Sequence, residues 1–109
     1  MNGQEIVALY EIVWSITRLM QEAAKKSEWD DLAVLDEKRI GLLEKLMASD
    51  RGDLADIQLN GQKAEWIRKI LVCDAETKSL AEEWMVELRQ ILDSLGAEKK
   101  LIGAYADRE

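Results

Sequence analysis

Histidine and proline are absent from the 109 residues, cysteine occurs once, and glycine occurs six times. Without histidine, zinc loses one of its usual ligands, and the di-iron carboxylate sites of helical bundles cannot form. Cys73 has no imidazole to activate it as a nucleophile, and no Gly-rich phosphate-binding loop is present. The sequence therefore predicts a protein that is not an enzyme and has no metal or cofactor.

Acidic residues outnumber basic ones by 22 to 15, which gives a formal charge of -7 and a pI near 4.7. An anionic surface argues against nucleic acid as a partner, and the lack of a long uncharged run argues against membrane insertion. The chain opens without a secretory leader, and its single cysteine suits a reducing compartment. We therefore expect one domain, residues 1–109, in the cytoplasm with proteins as partners.

The lack of proline and of β-branched clusters predicts an all-α fold. Apolar residues at three- and four-residue spacing predict an antiparallel bundle of three main helices, at about residues 4–26, 28–47 and 62–95, followed by a short C-terminal helix. Ser27 is predicted to cap the second helix with Asp30, Asp53 to cap a short segment before the third helix, and Gly96 to end the third.

The third helix is predicted to be the longest, at roughly 50 Å against roughly 35 and 30 Å for the other two. Part of its apolar stripe then has no partner within the bundle, so the lengths predict a binding groove. In the alternative interpretation, the helix kinks near Asp74, folds back and buries the whole stripe internally.

Three stretches of the sequence resemble the FliT family of flagellar export chaperones, and together they cover nearly the whole chain. The first is Ser27-Glu28-Trp29-Asp30-Asp31-Leu32, followed by Arg39, Leu42 and Leu43. The second is Ile70-Leu71, followed by Asp74, Glu76 and Leu80. The third is Lys99-Lys100 leading to Ala104-Tyr105, after which the chain has four more residues where the family often has a longer tail.

The resemblance implies a cytosolic chaperone that binds the C-terminal helical segment of the filament cap protein FliD. Such a chaperone prevents early assembly of FliD and escorts it to the flagellar export apparatus. The family also contacts the export ATPase complex and, in some bacteria, the flagellar master transcription regulator. In this family the C-terminal segment lies over the client groove until it is displaced.

Mapped onto this chain, the resemblance places the client groove between the second and third helices. The residues that we expect to line it are Leu35, Arg39, Leu42, Leu43, Leu46, Ile67, Ile70, Leu71 and Trp84. The gating segment would be Leu101, Ile102, Ala104 and Tyr105. Leucines at this spacing are also typical of a core, and an arginine within an apolar stripe either extends its charge to the edge or pairs with a client carboxylate.

A self-associating helical adaptor is the main alternative function. In such a module the unpartnered apolar surface is covered by a second copy rather than by a client. The two functions are compatible, because a free chaperone can form a homodimer through the surface that its client later occupies.

Overall fold

The computed structural model describes the backbone of residues 1–106 and the side chains of residues 1–96. Its helices are α1 (Gly3–Lys25), α2 (Trp29–Ser49) and α3 (Ile57–Ala106). The described residues contain no strand, which confirms the predicted all-α class. Within the same range, no helix combines the length and the apolar character needed to cross a membrane.

The chain divides into two compact units. Unit 1, Met1–Lys78, contains α1, α2 and the first part of α3. Unit 2, Ser79–Glu109, contains the remainder of α3.

The helices of unit 1 run in alternating directions, and the contacts between them fix their register. Arg39 on α2 bonds Asp74 on α3, and Asp50 after α2 bonds Lys63, so residue numbers fall along α2 as they rise along α3. Helix α1 likewise runs antiparallel to α2, because Tyr10 bonds Asp50 and Thr17 bonds Arg39. Helices α1 and α3 therefore run parallel to each other. The predicted antiparallel order of neighbouring helices is therefore correct.

The core of unit 1 is small and forms along one face of α1. Ile6 and Val13 of α1 pack with Leu46 of α2, and Val13 is fully buried. Further apolar side chains pack around these three, namely Leu9, Tyr10, Leu42, Leu43, Leu54 and Ile70. Two threonines, Thr17 and Thr77, are also buried. Each hydroxyl donates to the carbonyl four residues earlier in its own helix, which satisfies the buried polar group.

The third helix begins at Ile57 rather than at residue 62, so most of the short segment that Asp53 was predicted to cap is the first turn of this helix, and Asp56 caps it. The Asp56 carboxylate accepts hydrogen bonds from the backbone N–H groups of Gln58 and Leu59 at 2.9 and 3.1 Å. These are free donors of the first helical turn, so Asp56 stabilises the start of the helix. Asn60 and Gly61 then lie inside α3, where they lower its intrinsic propensity without breaking it.

The predicted break at Gly96, and with it the separate C-terminal helix, is not observed. The described backbone remains helical to Ala106, and no fold-back occurs at Asp74. Glycine within a helix costs about 1 kcal/mol relative to alanine, which good helix formers on both sides can offset. Ala97, Glu98, Lys99 and Lys100 follow Gly96 and provide such neighbours.

Ser27 does not cap α2, because it closes α1 instead. Its φ of 58° places it in the left-handed region, and the N-cap residue of α2 is Glu28, which makes no side-chain capping bond. The N–H groups of Ser27 and Glu28 donate to the carbonyls of Ala24 and Ala23 at 3.1 and 2.8 Å. This pair of bonds is the Schellman motif, in which glycine usually occupies the position of Ser27.

Replacing Ser27 by glycine should therefore raise the free energy of unfolding, by about 0.5 to 1 kcal/mol, because glycine adopts positive φ without a Cβ clash. Urea denaturation checks this value. Ser15→Gly provides the matched control, since Ser15 is exposed in the middle of α1 and the same change there should destabilise by a similar amount. Equal losses in both variants would contradict the role assigned to Ser27.

Candidate binding groove

An open groove of about 320 Å³ lies among the three helices of unit 1. Its wall is mostly apolar, with one arginine and one aspartate. The residues that line it are Tyr10 and Val13 of α1, Arg39 and Leu43 of α2, and Ile67, Ile70, Leu71 and Asp74 of α3. The groove is thus formed on a surface where α2 and α3 meet and where α1 provides the floor.

One face of α3 gives the groove an apolar centre between two polar ends. Lys63, Ile67, Ile70 and Asp74 follow one another at three- and four-residue spacing, so they lie on successive turns of this face. Eleven residues separate Lys63 from Asp74, which corresponds to about 16 Å along the helix. The two charged residues are therefore about three helical turns apart, and the apolar residues Ile67, Ile70 and Leu71 occupy about one turn between them.

At one end of the groove, the guanidinium of Arg39 connects all three helices. Its Nη1 donates to Asp74 Oδ1 of α3 at 2.6 Å and to Thr17 Oγ1 of α1 at 3.2 Å. Its Nη2 lies 3.4 Å from Asp36 Oδ1, one turn earlier on α2. The Arg39 side chain is only 13 % exposed, so its charge does not extend to the edge of the stripe.

At the other end, Tyr10 lines the groove and joins it to a polar cluster with Lys63 and Asp50, which lie behind the lining. Lys63 Nζ donates to Asp50 Oδ1 and to the Gly52 carbonyl, both at 2.7 Å, and the Tyr10 hydroxyl donates to Asp50 Oδ2 at 2.6 Å. The side chains of Lys63 and Asp50 are each 11 % exposed. Gly52 adopts a φ of 112°, which other residues rarely do, where its carbonyl accepts from Lys63.

The protonation of this cluster follows from its contacts. Burial alone would raise the pKa of Asp50, but the hydrogen bonds from Lys63 and Tyr10, with the charge of Lys63, outweigh burial and lower it. Burial, the hydrogen bond to Asp50 and the charge of Asp50 all raise the pKa of Tyr10. At neutral pH the phenol of Tyr10 therefore donates and the carboxylate of Asp50 accepts. The opposite charges of Lys63 and Asp50 balance, so the cluster has no net charge.

The structure brings together five of the nine residues that the sequence assigned to the groove. These are Arg39, Leu43, Ile67, Ile70 and Leu71, and Leu71 is the most accessible of them, at 63 %.

The other four predicted groove residues lie elsewhere. Leu46 is buried in the core of unit 1, and Leu42 packs against that core. Leu35 is half-buried on α2, one turn before Arg39, outside the lining. Trp84 belongs to unit 2. These residues lie in the same apolar stripes of the sequence as the residues that line the groove. The sequence pattern does not distinguish a buried leucine from one that lines an opening, because the difference depends on how the helices pack.

Three residues that line the groove were not assigned to it from the sequence, namely Tyr10, Val13 and Asp74, and neither was Lys63, which lies beside the groove in the cluster of Tyr10 and Asp50. Tyr10 and Val13 belong to the apolar stripe of α1, whereas the groove was predicted between the second and third helices alone. Lys63 and Asp74 carry a signal that was available, because each is a charged residue in register with Ile67 and Ile70 on one helical face. A charged residue at such a position is buried only when it is paired, so it indicates a partner on another helix.

The predicted gating residues, Leu101, Ile102, Ala104 and Tyr105, lie outside the residues whose side chains the structure describes. Their backbone is part of α3.

The described residues offer neither a metal site nor an activated thiol. Residues 1–96 contain no group of three or more histidine, cysteine, aspartate or glutamate side chains that could hold a metal ion. Cys73 is 4 % exposed, as predicted for a small buried residue, and burial raises the pKa of its thiol, with the charges of Asp74 and Glu76 adding to the effect. A raised pKa leaves less of the reactive thiolate.

Comparison with known proteins identifies relatives of the whole chain. The family model described as flagellar protein FliT matches residues 7–107. The chain is also similar to the crystal structure of flagellar protein FliT from Bordetella bronchiseptica, with 26 % sequence identity and a TM-score of 0.73. That similarity covers 79 % of this chain and 97 % of the other. A comparison with curated proteins gives no significant match.

The polar cluster predicts a pH-dependent effect of Tyr10→Phe. At neutral pH this variant should lose about 1.5 to 3 kcal/mol of unfolding free energy, the range for a hydrogen bond to a charged group. The pKa of Asp50 is lowered in the folded protein, so the stabilisation is present above the unfolded pKa of about 3.9 and disappears as pH falls through the folded value.

Urea denaturation of the parent protein and of Tyr10→Phe, between neutral pH and about pH 3, measures this difference. The gap between the two proteins should narrow as Asp50 becomes protonated. If Tyr10 stabilised the fold by packing alone, phenylalanine would replace it and no gap would appear at neutral pH. A gap that persists unchanged below the folded pKa of Asp50 would show that the contribution of the hydroxyl does not depend on the charge of this carboxylate.

Proposed function

This chain belongs to the FliT family of flagellar proteins, which are export chaperones, and from that membership we propose that its client is the C-terminal helical segment of the filament cap protein FliD. The match of the family model over residues 7–107 is the observation that carries this proposal. In it, the chain acts in the cytoplasm as one chaperone domain, residues 1–109. It prevents early assembly of the client and delivers it to the flagellar export apparatus.

The groove in unit 1 supports this proposal because its shape and lining suit an amphipathic helix. Its apolar centre on α3 is about one turn long and faces Leu43 of α2, which accommodates anchors at positions i and i+3 or i+4 of a client helix. Leu71 is 63 % exposed, and covering a leucine of this kind contributes roughly 2 kcal/mol to binding. Ile67, Ile70 and Leu43 extend the same surface inward.

The remaining partners are proposed on the same basis of family membership. They are the export ATPase complex and the flagellar master transcription regulator. Neither requires nucleic-acid binding or membrane insertion by this chain.

Self-association is a second candidate, and exposed apolar residues in unit 2 favour it. Between residues 84 and 95, six large apolar side chains are at least one-third exposed: Trp84, Met85, Val86, Ile91, Leu92 and Leu95. Exposed apolar side chains in this number indicate an interaction site, and a symmetric homodimer would cover those on one face of the helix in two copies at once.

Calorimetric titration with the C-terminal segment of FliD from the same organism tests the client proposal, and Leu71→Gln locates the site. We expect one-to-one binding with a negative heat-capacity change, and a loss of about tenfold or more in affinity for Leu71→Gln. Val72→Gln is the matched control. Val72 is the next residue of α3, is 70 % exposed and lines a different recess, with Trp14 and Cys73, so its replacement should leave the affinity unchanged.

Light scattering on the same samples separates the two candidate functions. A client chaperone gives a one-to-one complex whatever its free state. A dimer that persists and does not bind the segment would contradict the client proposal and favour the self-associating module.

The proposed gating role of Leu101, Ile102, Ala104 and Tyr105 has a test of its own in a chain that ends at Gly96. A segment that competes for the groove reduces the apparent affinity of the client by the fraction of time it occupies the site. Titration of the shortened chain should therefore give tighter binding of the FliD segment. Unchanged or weaker binding would contradict gating, provided that circular dichroism shows the same helical content in residues 1–96.

A further inference from the structure

The two polar ends of the groove differ in the charge that they present to solvent. At the Lys63 end, the charges of Lys63 and Asp50 balance each other, and each of these side chains is 11 % exposed. At the Arg39 end, the cation is 13 % exposed, whereas its carboxylate partners are more exposed: Asp74, which lines the groove, by 35 %, and Asp36, which lies next to the lining, by 42 %. An approaching ligand therefore meets negative charge at one end and almost none at the other.

The charge at the Arg39 end is not balanced by its ion pairs. One guanidinium faces two carboxylates, which leaves a net charge of -1. The contact of Asp36 with Arg39 is long, at 3.4 Å, so this carboxylate is only weakly engaged. Lys78 follows Asp74 by one turn on α3, and no ion pair joins the two among the described residues.

We infer that the client helix carries a basic side chain at one end of its apolar stretch, and that Asp36 and Asp74 bind this side chain and thereby set the direction in which the client lies. A client carboxylate at this place would add to an existing excess of negative charge, whereas a lysine or arginine balances it. The opposite end of the client, over Lys63, Asp50 and Tyr10, needs no charge. This inference rests on the proposed function, which makes the groove the site where the client helix binds.

Asp36→Asn together with Asp74→Asn tests the inference without removing the contacts that hold Arg39. Asparagine has nearly the same shape, and its carbonyl oxygen can still accept from the guanidinium. Because Arg39 loses both charged partners, the double variant should be less stable, so circular dichroism and urea denaturation first establish that it is folded under the titration conditions. Asp31→Asn is the matched control, because Asp31 lies on the exposed surface of α2 two turns before the groove residues.

Two kinds of probe are titrated into each protein. One is the FliD segment. The other is a designed amphipathic helix of about 18 residues, with leucines at three- and four-residue spacing and two lysines at one end. The designed helix is made with its lysines at the N-terminal or the C-terminal end, and each version has a counterpart with glutamines in their place.

One of the two lysine helices should bind the parent protein about tenfold more tightly than its glutamine counterpart, and added salt should reduce the difference. The difference should disappear in the Asp36→Asn, Asp74→Asn double variant and remain in Asp31→Asn. The FliD segment should likewise lose about tenfold in affinity in the double variant.

The inference is overturned if the lysine and glutamine helices bind the parent protein equally, if neither lysine helix binds at about 1 mM, or if the double variant retains the preference for lysine. Failure of the proposed function gives a different result: the FliD segment does not bind, while the designed helices still show the preference for lysine. Tight binding of the FliD segment with no loss in the double variant leaves the chaperone function in place and rejects the charge recognition.

Discussion

The guanidinium of Arg39 is the contact on which the arrangement of unit 1 depends, because one side chain holds all three helices in register. It bonds Thr17 on α1, Asp36 on its own helix and Asp74 on α3. Apolar packing alone allows neighbouring helices to slide by a turn at modest cost, whereas a buried cation has low energy only where its acceptors meet it. Lys63 acts similarly at the other end, where it connects α3 to the turn after α2. Two fixed points on α3 then define both the register of the bundle and the length of the groove between them.

This arrangement lets a small core coexist with an opening. Few large side chains are fully buried in unit 1, and the space between α2 and α3 is filled only from below, by Val13 and Tyr10. Ile70 packs against the core, and Leu71, the next residue around α3, points about 100° away from it towards solvent. The ion pairs at the two ends favour a separation at which Ile70 is covered and Leu71 remains exposed. The cost of leaving an apolar surface in water is then offset when a partner helix covers it.

The sequence predicted the helices better than it predicted their ends or the site. Period and composition suffice for α1, α2 and most of α3, because the apolar stripes are long and proline is absent. The ends depend on single residues with competing roles: Ser27 is a reasonable cap by type, but its left-handed backbone serves the preceding helix, and Asp56 rather than Asp53 meets the free N–H groups of α3. Gly96 was given the role that glycine most often has at a helix end, although its neighbours allow the helix to continue. For the site, the stripe identified Ile67, Ile70 and Leu71 but could not separate Leu43, at the groove, from Leu46, in the core, since both lie on one face of α2 and differ only in depth.

The charged residues within the stripes carry the information that the leucines lack. A leucine at a stripe position is compatible with core, groove or interface, so its identity does not say which one it occupies. Arg39, Lys63 and Asp74 are each unfavourable inside an apolar face unless a partner is supplied by another helix, and so their presence implies a particular neighbour. The two pairs that the structure shows, Arg39 with Asp74 and Lys63 with Asp50, are enough to define the antiparallel register of α2 and α3. The residues that look like exceptions to the helical pattern are thus the ones that specify how the helices meet, and they also set the two ends of the surface that remains open for a client.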